Sequence, residues 1–264
     1  MKIAIIGTGN LGLSIARGLL MHNNYTQLYL TKRNIGTLEE WTEYKNVFVS
    51  SDNVAAMKAS DIIIFTVQPG YFETVLTEIT PHLTDKHHLI SAVTGFQIAR
   101  MESIVGSETP IVRAMPNTAI AVGASMTTLC HNRSGEKSHE IAAAIFKHLG
   151  HTLAIPEEHM QAATVLCASG IAFWMRLIRA TTQGGVQMGF DAKEAMEMSM
   201  HTALGAAKLL IASGSHPEEE IDRVTTPKGC TIEGLNQMEH QGLSSSLIQG
   251  LMASFHQINN IRKA

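Results

Sequence analysis

The sequence predicts an α/β chain: a mostly parallel sheet domain followed by an all-helical domain. Three observations predict it. Short apolar, often β-branched runs alternate with helical segments over the first 155 residues. That is the pattern of strands covered on both faces and joined by right-handed crossovers. The first run, Ile3 to Ile6, passes straight into a loop with glycines at 7, 9 and 12. After Pro156 the strand signal fades, and helical periodicity rich in Ala, Met and Leu continues to Ile261. The boundary is therefore drawn between residues 1–156 and 157–264.

The opening strand and loop carry the most specific signal. Gly7 permits a tight turn, Gly9 lets backbone approach a pyrophosphate, and Gly12 lets a helix pack close to the strand. The helix, from about Asn10 to Met21, presents free N–H groups and about half a positive charge to an anion. This arrangement reads as a Rossmann-type dinucleotide site, with Gly7, Thr8, Gly9, Asn10, Leu11 and Gly12 as candidate cofactor contacts. The second strand, Leu28–Leu30, ends in Thr31-Lys32-Arg33-Asn34. An NAD site would carry an acid there, about 20 residues past the glycines, for the ribose 2′-hydroxyl. Two cations and no acid favour a 2′-phosphate, so NADP(H) is preferred to NAD(H), with Thr31, Lys32 and Arg33 as contacts. A plain solvated loop at Lys32 and Arg33 is the alternative.

Strands follow at Val47–Val49, Ile62–Val67, Leu89–Val93, Ile111–Arg113, Met126–Leu129 and Leu153–Ile155. Ligands of open α/β sheets lie at the carboxyl ends of strands, so Thr66, Val67, Gln68 and Pro69 should line the cofactor. In the helical part, breaks are expected at Gly184-Gly185, Gly189-Phe190, Gly214–Pro217 and Thr226–Gly229. Asp191 with Glu194 reads as a capping box. Pro217 followed by three glutamates reads as a helix start. Met196, Met198 and Met200 suit core or interface packing.

Charged residues make up only 16% of the 264, against about 25% in average globular chains. With 45% hydrophobic residues, this suggests faces buried against another copy of the chain. The net charge of −3 gives no reason to expect nucleic acid or an anionic membrane as partner. Cys130, Cys167 and Cys230 are widely spaced and fit a reducing cytoplasm. The apolar run after Met1-Lys2 is too short for a signal peptide, and no stretch approaches the ~20 apolar residues that span a bilayer. The 13 histidines are scattered; His87, His88, His148 and His151 are expected at the surface, and no metal site is expected.

Three further segments carry a resemblance. Val112-Arg113-Ala114-Met115-Pro116-Asn117-Thr118, with Val122-Gly123 beyond, is similar to the V-R-x-M-P-N-T segment of pyrroline-5-carboxylate reductases. Gly184 to Gly189, with Leu204 to Leu210 after it, resembles the helical signature of that family. Val224-Thr225-Thr226-Pro227-Lys228-Gly229-Cys230-Thr231 stands where the family carries V-x-S-P-G-G-T-T. Departures are Lys228 for a glycine, Gln68 for the lysine of V-K-P, Ala119 for a proline, and Ala168-Ser169-Gly170-Ile171-Ala172-Phe173 for G-S-G-P-A-Y.

The resemblance implies hydride transfer from NADPH to the C=N carbon of 1-pyrroline-5-carboxylate, a small imino acid, giving L-proline. It implies a helical dimerisation domain, at least a homodimer, with the substrate turn of one subunit near the dinucleotide domain of the other. It places Ala92, Met115, Pro116 and Asn117 near the nicotinamide; for Asn117 an Asx turn is the alternative. Thr226, Pro227, Gly229, Cys230 and Thr231 would hold the substrate, the amides at 229–231 taking its carboxylate. The Thr231 hydroxyl, by the same resemblance, would be the catalytic group at the ring nitrogen; an ordinary helix N-cap is its alternative. Lys228 would either tighten binding of the carboxylate or, the preferred reading, point to solvent. A reductase of another cyclic imino acid and a non-catalytic NADPH-binding protein remain open. A hydroxyacid dehydrogenase is disfavoured, because the helix from Met160 to Gln183 contains no lysine.

Overall fold

The structure is a computed structural model and describes residues 1–22 and 25–261. The eight expected strands are all present: β1 (Lys2–Ile6), β2 (Gln27–Thr31), β3 (Val47–Ser50), β4 (Ile62–Phe65), β5 (His88–Ser91), β6 (Ile111–Met115), β7 (Ser125–His131) and β8 (Gly150–Ala154). They form one sheet in the order β3-β2-β1-β4-β5-β6-β7-β8. Neighbouring strands are parallel except β6 and β7. The chain reverses its direction of travel across the sheet between β1 and β4, so the glycine loop after β1 sits at the switch point where such sheets bind ligands.

Alternation along the strands explains the two cores. Ile3, Ile5, Ile62 and Ile64 face one layer with Ile15, Leu19, Trp41 and Phe146. Ala4, Ile6, Ile63 and Phe65 face the other with Phe72, Met101 and Met160. Both sets are buried, which is why these strands read as unbroken apolar runs. The layers are built by α1 (Asn10–His22), α2 (Asn53–Lys58), α3 (Pro69–Ile79), α4 (Ile98–Val105) and α5 (Glu136–Lys147). Strands β4 and β5 end at Phe65 and Ser91, two residues before the apolar runs do. Thr66, Val67, Ala92 and Val93 therefore belong to the loops at the strand ends.

Beyond β8 the chain is helical: α6 (Met160–Ala163), a π-helical turn over Thr164–Ser169, α7 (Gly170–Gln187), α8 (Ala192–Ser213), α9 (Pro217–Val224), α10 (Cys230–His240) and α11 (Leu243–Ile261). By packing, the described residues divide into those of 1–169 with 255–261, and those of 170–254. This division falls inside the helical run, later than the change of sequence character at 156/157, and the end of α11 belongs to the first unit.

The second unit follows the sequence at its caps. Asp191 and Glu194 form the capping box of α8, and Pro217 opens α9. It departs at Gly184-Gly185, where α7 runs on without a break. A Cβ on Gly185 would lie 2.8 Å from the Ala195 Cβ, so that glycine serves close packing of α7 on α8 rather than a turn. The unit leaves much apolar surface open: Trp174 is 64% exposed, Met188 77% and Ile211 83%. The methionines 196, 198 and 200 are exposed as well.

Two expectations need correction. One helical stretch, Glu157–Gln187, is long and apolar enough to cross a membrane by length and composition, because its few charges are clustered. And His87 is buried, its Nδ1 accepting a hydrogen bond from Thr84 N at 2.9 Å, while half-buried His88 pairs its Nδ1 with Ser138 Oγ at 2.7 Å. Adjacent strand-end residues point to opposite sides, so both face covered layers.

Candidate active site

Each fingerprint glycine meets a different constraint. Gly7 has φ +91°, and a Cβ there would lie 2.4 Å from Val67 Cγ1. A Cβ on Gly12 would lie 2.6 Å from Thr66 Oγ1. Nothing of the protein lies within 4 Å of a Cβ on Gly9, so its side is open to a ligand. The first helical bond of α1 runs from Leu13 N to Gly9 O at 2.9 Å. That leaves the amides of Asn10, Leu11 and Gly12 ahead of it without intrahelical carbonyls. A loop stripped of Cβ atoms beside free helix amides is a cradle that fits a pyrophosphate.

Thr8 plays another part. It is buried, and its hydroxyl donates to Thr31 O at 3.0 Å, while the amides of Gly7 and Thr8 donate to the same carbonyl at 3.1 and 2.9 Å. Its side chain braces the loop against β2 rather than facing a ligand. Thr31 is likewise buried and donates its hydroxyl to Asn53 Oδ1 at 2.7 Å.

A groove of about 490 Å³ opens at this end of the sheet. Of the predicted cofactor residues it is lined by Gly7, Gly9, Thr31, Lys32, Arg33, Val67 and Gln68. Ser51, Asn53, Tyr71, Thr74 and Glu78 also line it and were not anticipated. The rule that ligands lie beyond strand ends, applied to β3 and to the first turn of α3, could have found Ser51, Asn53 and Tyr71. Arg33 lays its guanidinium over the Tyr71 ring, 4.5 Å from the centroid. Asn10, Leu11, Gly12 and Pro69 stand at the helix starts beside the groove without lining it.

Ala92, Met115, Pro116 and Asn117 are all buried, at the ends of β5 and β6. Asn117 makes the Asx turn, its Oδ1 accepting from Ala119 N at 3.0 Å. Its Nδ2 also donates to Cys167 O at 3.1 Å, inside the π-helical turn. A π turn misaligns backbone carbonyls with the usual amides, and Asn117 satisfies one of them. Arg113, first of the motif's polar residues, is buried and paired to Glu157, Nη1 to Oε1 at 2.8 Å. Cys130 stands opposite Arg113 across β6 and β7. Burial pushes its thiol up to about 11, against the opposing pull of Arg113, which leaves it an inert core residue.

The second unit contains the predicted substrate turn. Gly229 N donates to Thr226 O at 2.9 Å, closing a β-turn with Pro227 and Lys228 at its centre. Lys228 adopts φ +58°, the conformation a type II turn demands after proline and one that favours glycine. A Cβ on Gly229 would lie 2.4 Å from Thr226 Oγ1. Gly229 is the N-cap of α10 and no side chain caps it. Cys230 and Thr231 are therefore the first two helical residues, with amides free for an anion, and Thr231 is not the N-cap. Lys228 is exposed, while Thr231 is half-buried.

The family described as pyrroline-5-carboxylate reductase dimerisation matches residues 157–261. A second, NADP oxidoreductase coenzyme F420-dependent, matches residues 2–95. Pyrroline-5-carboxylate reductase 2 of Dictyostelium discoideum is 41% identical over 96% of this chain and 90% of that protein. The chain belongs to the pyrroline-5-carboxylate reductase family. Pyrroline-5-carboxylate reductase 1 of the same organism is 43% identical over 96% of this chain, which spans only 48% of that longer protein. Among solved structures, the Plasmodium falciparum pyrroline carboxylate reductase with NADP bound superposes with a TM-score of 0.90 over 99% of this chain and 98% of the other, at 24% identity. The Streptococcus pyogenes 1-pyrroline-5-carboxylate reductase gives 0.87 over 98% of both chains at 27% identity. The last two matches share the fold described above: a mostly parallel sheet followed by a helical region.

Proposed function

We propose that this chain reduces 1-pyrroline-5-carboxylate to L-proline with NADPH. The observation that carries the reading is the near-full-length relationship to Dictyostelium pyrroline-5-carboxylate reductase 2, joined to a glycine cradle whose groove is edged by Lys32 and Arg33 and no acid at that strand end. Bound in the groove, NADPH supplies a hydride for the imine carbon. The amides of Asn10 to Gly12 hold the pyrophosphate, and the two cations take the 2′-phosphate.

The amides of Cys230 and Thr231 hold the substrate carboxylate, the Gly229 amide being taken by Thr226 O within the turn, and the Thr231 hydroxyl hydrogen-bonds the ring nitrogen. The hydride would go to the imine carbon and a proton to the ring nitrogen. The nitrogen becomes more basic as the C=N bond is lost, so a hydroxyl, or water held by it, suffices for the proton. We assign the enzyme a homodimer through residues 170–254, supported by the exposed apolar helices of that unit. We place it in the cytoplasm, supported by three free cysteines that stand apart.

The test is absorbance of the reduced nicotinamide in a mixture of the full chain, NADPH and pyrroline-5-carboxylate. Steady oxidation is expected. Tight NADPH binding with no oxidation would favour a non-catalytic binding protein.

A further inference from the structure

Arg33 and Tyr71 reach one another from two separate strand ends. Arg33 is in the loop after β2, and Tyr71 is in the first turn of α3, after β4. Strand β1 lies between β2 and β4, so the pair spans the mouth of the glycine loop. The guanidinium carbon lies 4.5 Å from the ring centroid, and both residues line the same groove. Tyr71 is 48% exposed, with a large apolar face at the surface and Arg33 resting on it.

An arginine on a flexible stem binds a phosphate weakly unless something restricts it, because its rotamers must be frozen on binding. An aromatic face does this without occupying the guanidinium's hydrogen-bond donors, all of which lie in its plane and stay free at its edge. Glu40 and Glu73 pair with other arginines, Arg17 and Arg100. Arg33 forms no such ion pair among the described residues, and Glu78, the carboxylate that lines the same groove, is not within ion-pair distance of it.

We infer that Tyr71 is a positioning residue for coenzyme choice: its ring pre-orders Arg33 for the 2′-phosphate and so sets the preference for NADPH over NADH. The inference rests on the NADPH reading above. Its signature is selective. If the ring served as a platform for adenine, its loss would weaken both coenzymes alike, since both carry adenine.

The experiment measures binding of NADPH and of NADH to the full chain by fluorescence of the reduced nicotinamide. The proteins are wild type, Tyr71→Phe, Tyr71→Leu, Arg33→Met and the Tyr71→Leu/Arg33→Met double variant. Tyr71→Leu should weaken NADPH about two- to fivefold, the range a partly exposed cation–π contact supports, and leave NADH unchanged. Tyr71→Phe should keep the wild-type ratio, and Tyr71→Leu should add nothing once Arg33 is gone. An equal loss for both coenzymes in Tyr71→Leu, or a further loss of NADPH in the double variant, overturns the inference. A wild type that binds NADPH no better than NADH overturns it too, and one that binds neither overturns the coenzyme reading itself. Should Tyr71→Leu unfold, Tyr71→Phe and the Arg33→Met ratio still decide: a shifted ratio with phenylalanine, or an unshifted one without Arg33, refutes it.

Discussion

Arg113, buried in the antiparallel step of the sheet, is paired with Glu157 at the start of the helical run. The same carboxylate oxygen accepts from Ile98 N at 2.7 Å, at the first residue of α4. One side chain thus ties three segments together: β6, α4 and the helical entry. Glu157→Ala strands a buried guanidinium and an unmet amide, and should cost about 3–5 kcal/mol in urea unfolding. Replacing both partners, as Arg113→Met with Glu157→Ala, should cost less than Glu157→Ala alone, since no buried charge is then left unpaired.

The three glycines of the loop should separate under substitution by alanine. Gly9→Ala meets no protein atom, so its melting temperature should stay near wild type while NADPH affinity falls at least tenfold. Gly7→Ala meets Val67 and needs a left-handed φ, so it should lose stability as well as affinity. Thermal unfolding and fluorescence titration read the two quantities. Equal melting temperatures for both variants would contradict this view of the loop.

Lys228 holds a left-handed conformation that disfavours L-residues by roughly 1–2 kcal/mol, against glycine's entropic penalty of roughly 0.5–1 kcal/mol. Lys228→Gly should therefore be neutral or stabilising by up to about 1 kcal/mol, and Lys228→Val clearly destabilising. In the next helical turn, Thr231→Ala should lower kcat at least tenfold and Thr231→Ser should restore most of it, with NADPH binding unchanged in both. Full activity in Thr231→Ala would refute the role given to that hydroxyl.

Burial lowers the pKa of His87 below its ordinary 6.5, with Lys86 adding to the effect. The folded chain then binds fewer protons here than the unfolded chain in the interval below 6.5. Stability from this group is complete above that pH and is lost as the pH falls through the folded-state value. His88 and His139 are lowered chiefly by burial and act in the same direction. Denaturation midpoints should fall on acidification from about pH 7.5 to about 5.5, and His87→Gln should flatten part of that slope. An unchanged slope would show that His87 does not contribute.

The strands and the loop were legible in the sequence because their causes are local. Ile3–Ile6 and Ile62–Phe65 are buried on both faces, and a doubly covered strand writes itself as an apolar run. Gly7 and Gly12 answer to Val67 and Thr66 beyond β4, distant in the chain, but the glycine spacing of the strand–turn–helix unit records that need. The caps of α8 and α9 involve contacts a few residues apart, and they too could be read in advance.

What the sequence by itself determined about this protein is the two-part organisation, the dinucleotide loop, the cationic end of β2 and the turn from Thr226 to Gly229. Tertiary structure alone decided which of those residues act through side chains and which support their neighbours. Thr8 turned inward to brace β2, Asn117 gave its amide to a π turn 50 residues away, and Gly185 served packing rather than a break. The pairing of Arg33 with Tyr71 likewise had no sequence signal. Each of these depends on contacts between different elements of the fold, and no periodicity or motif spacing records which surfaces the fold brings together.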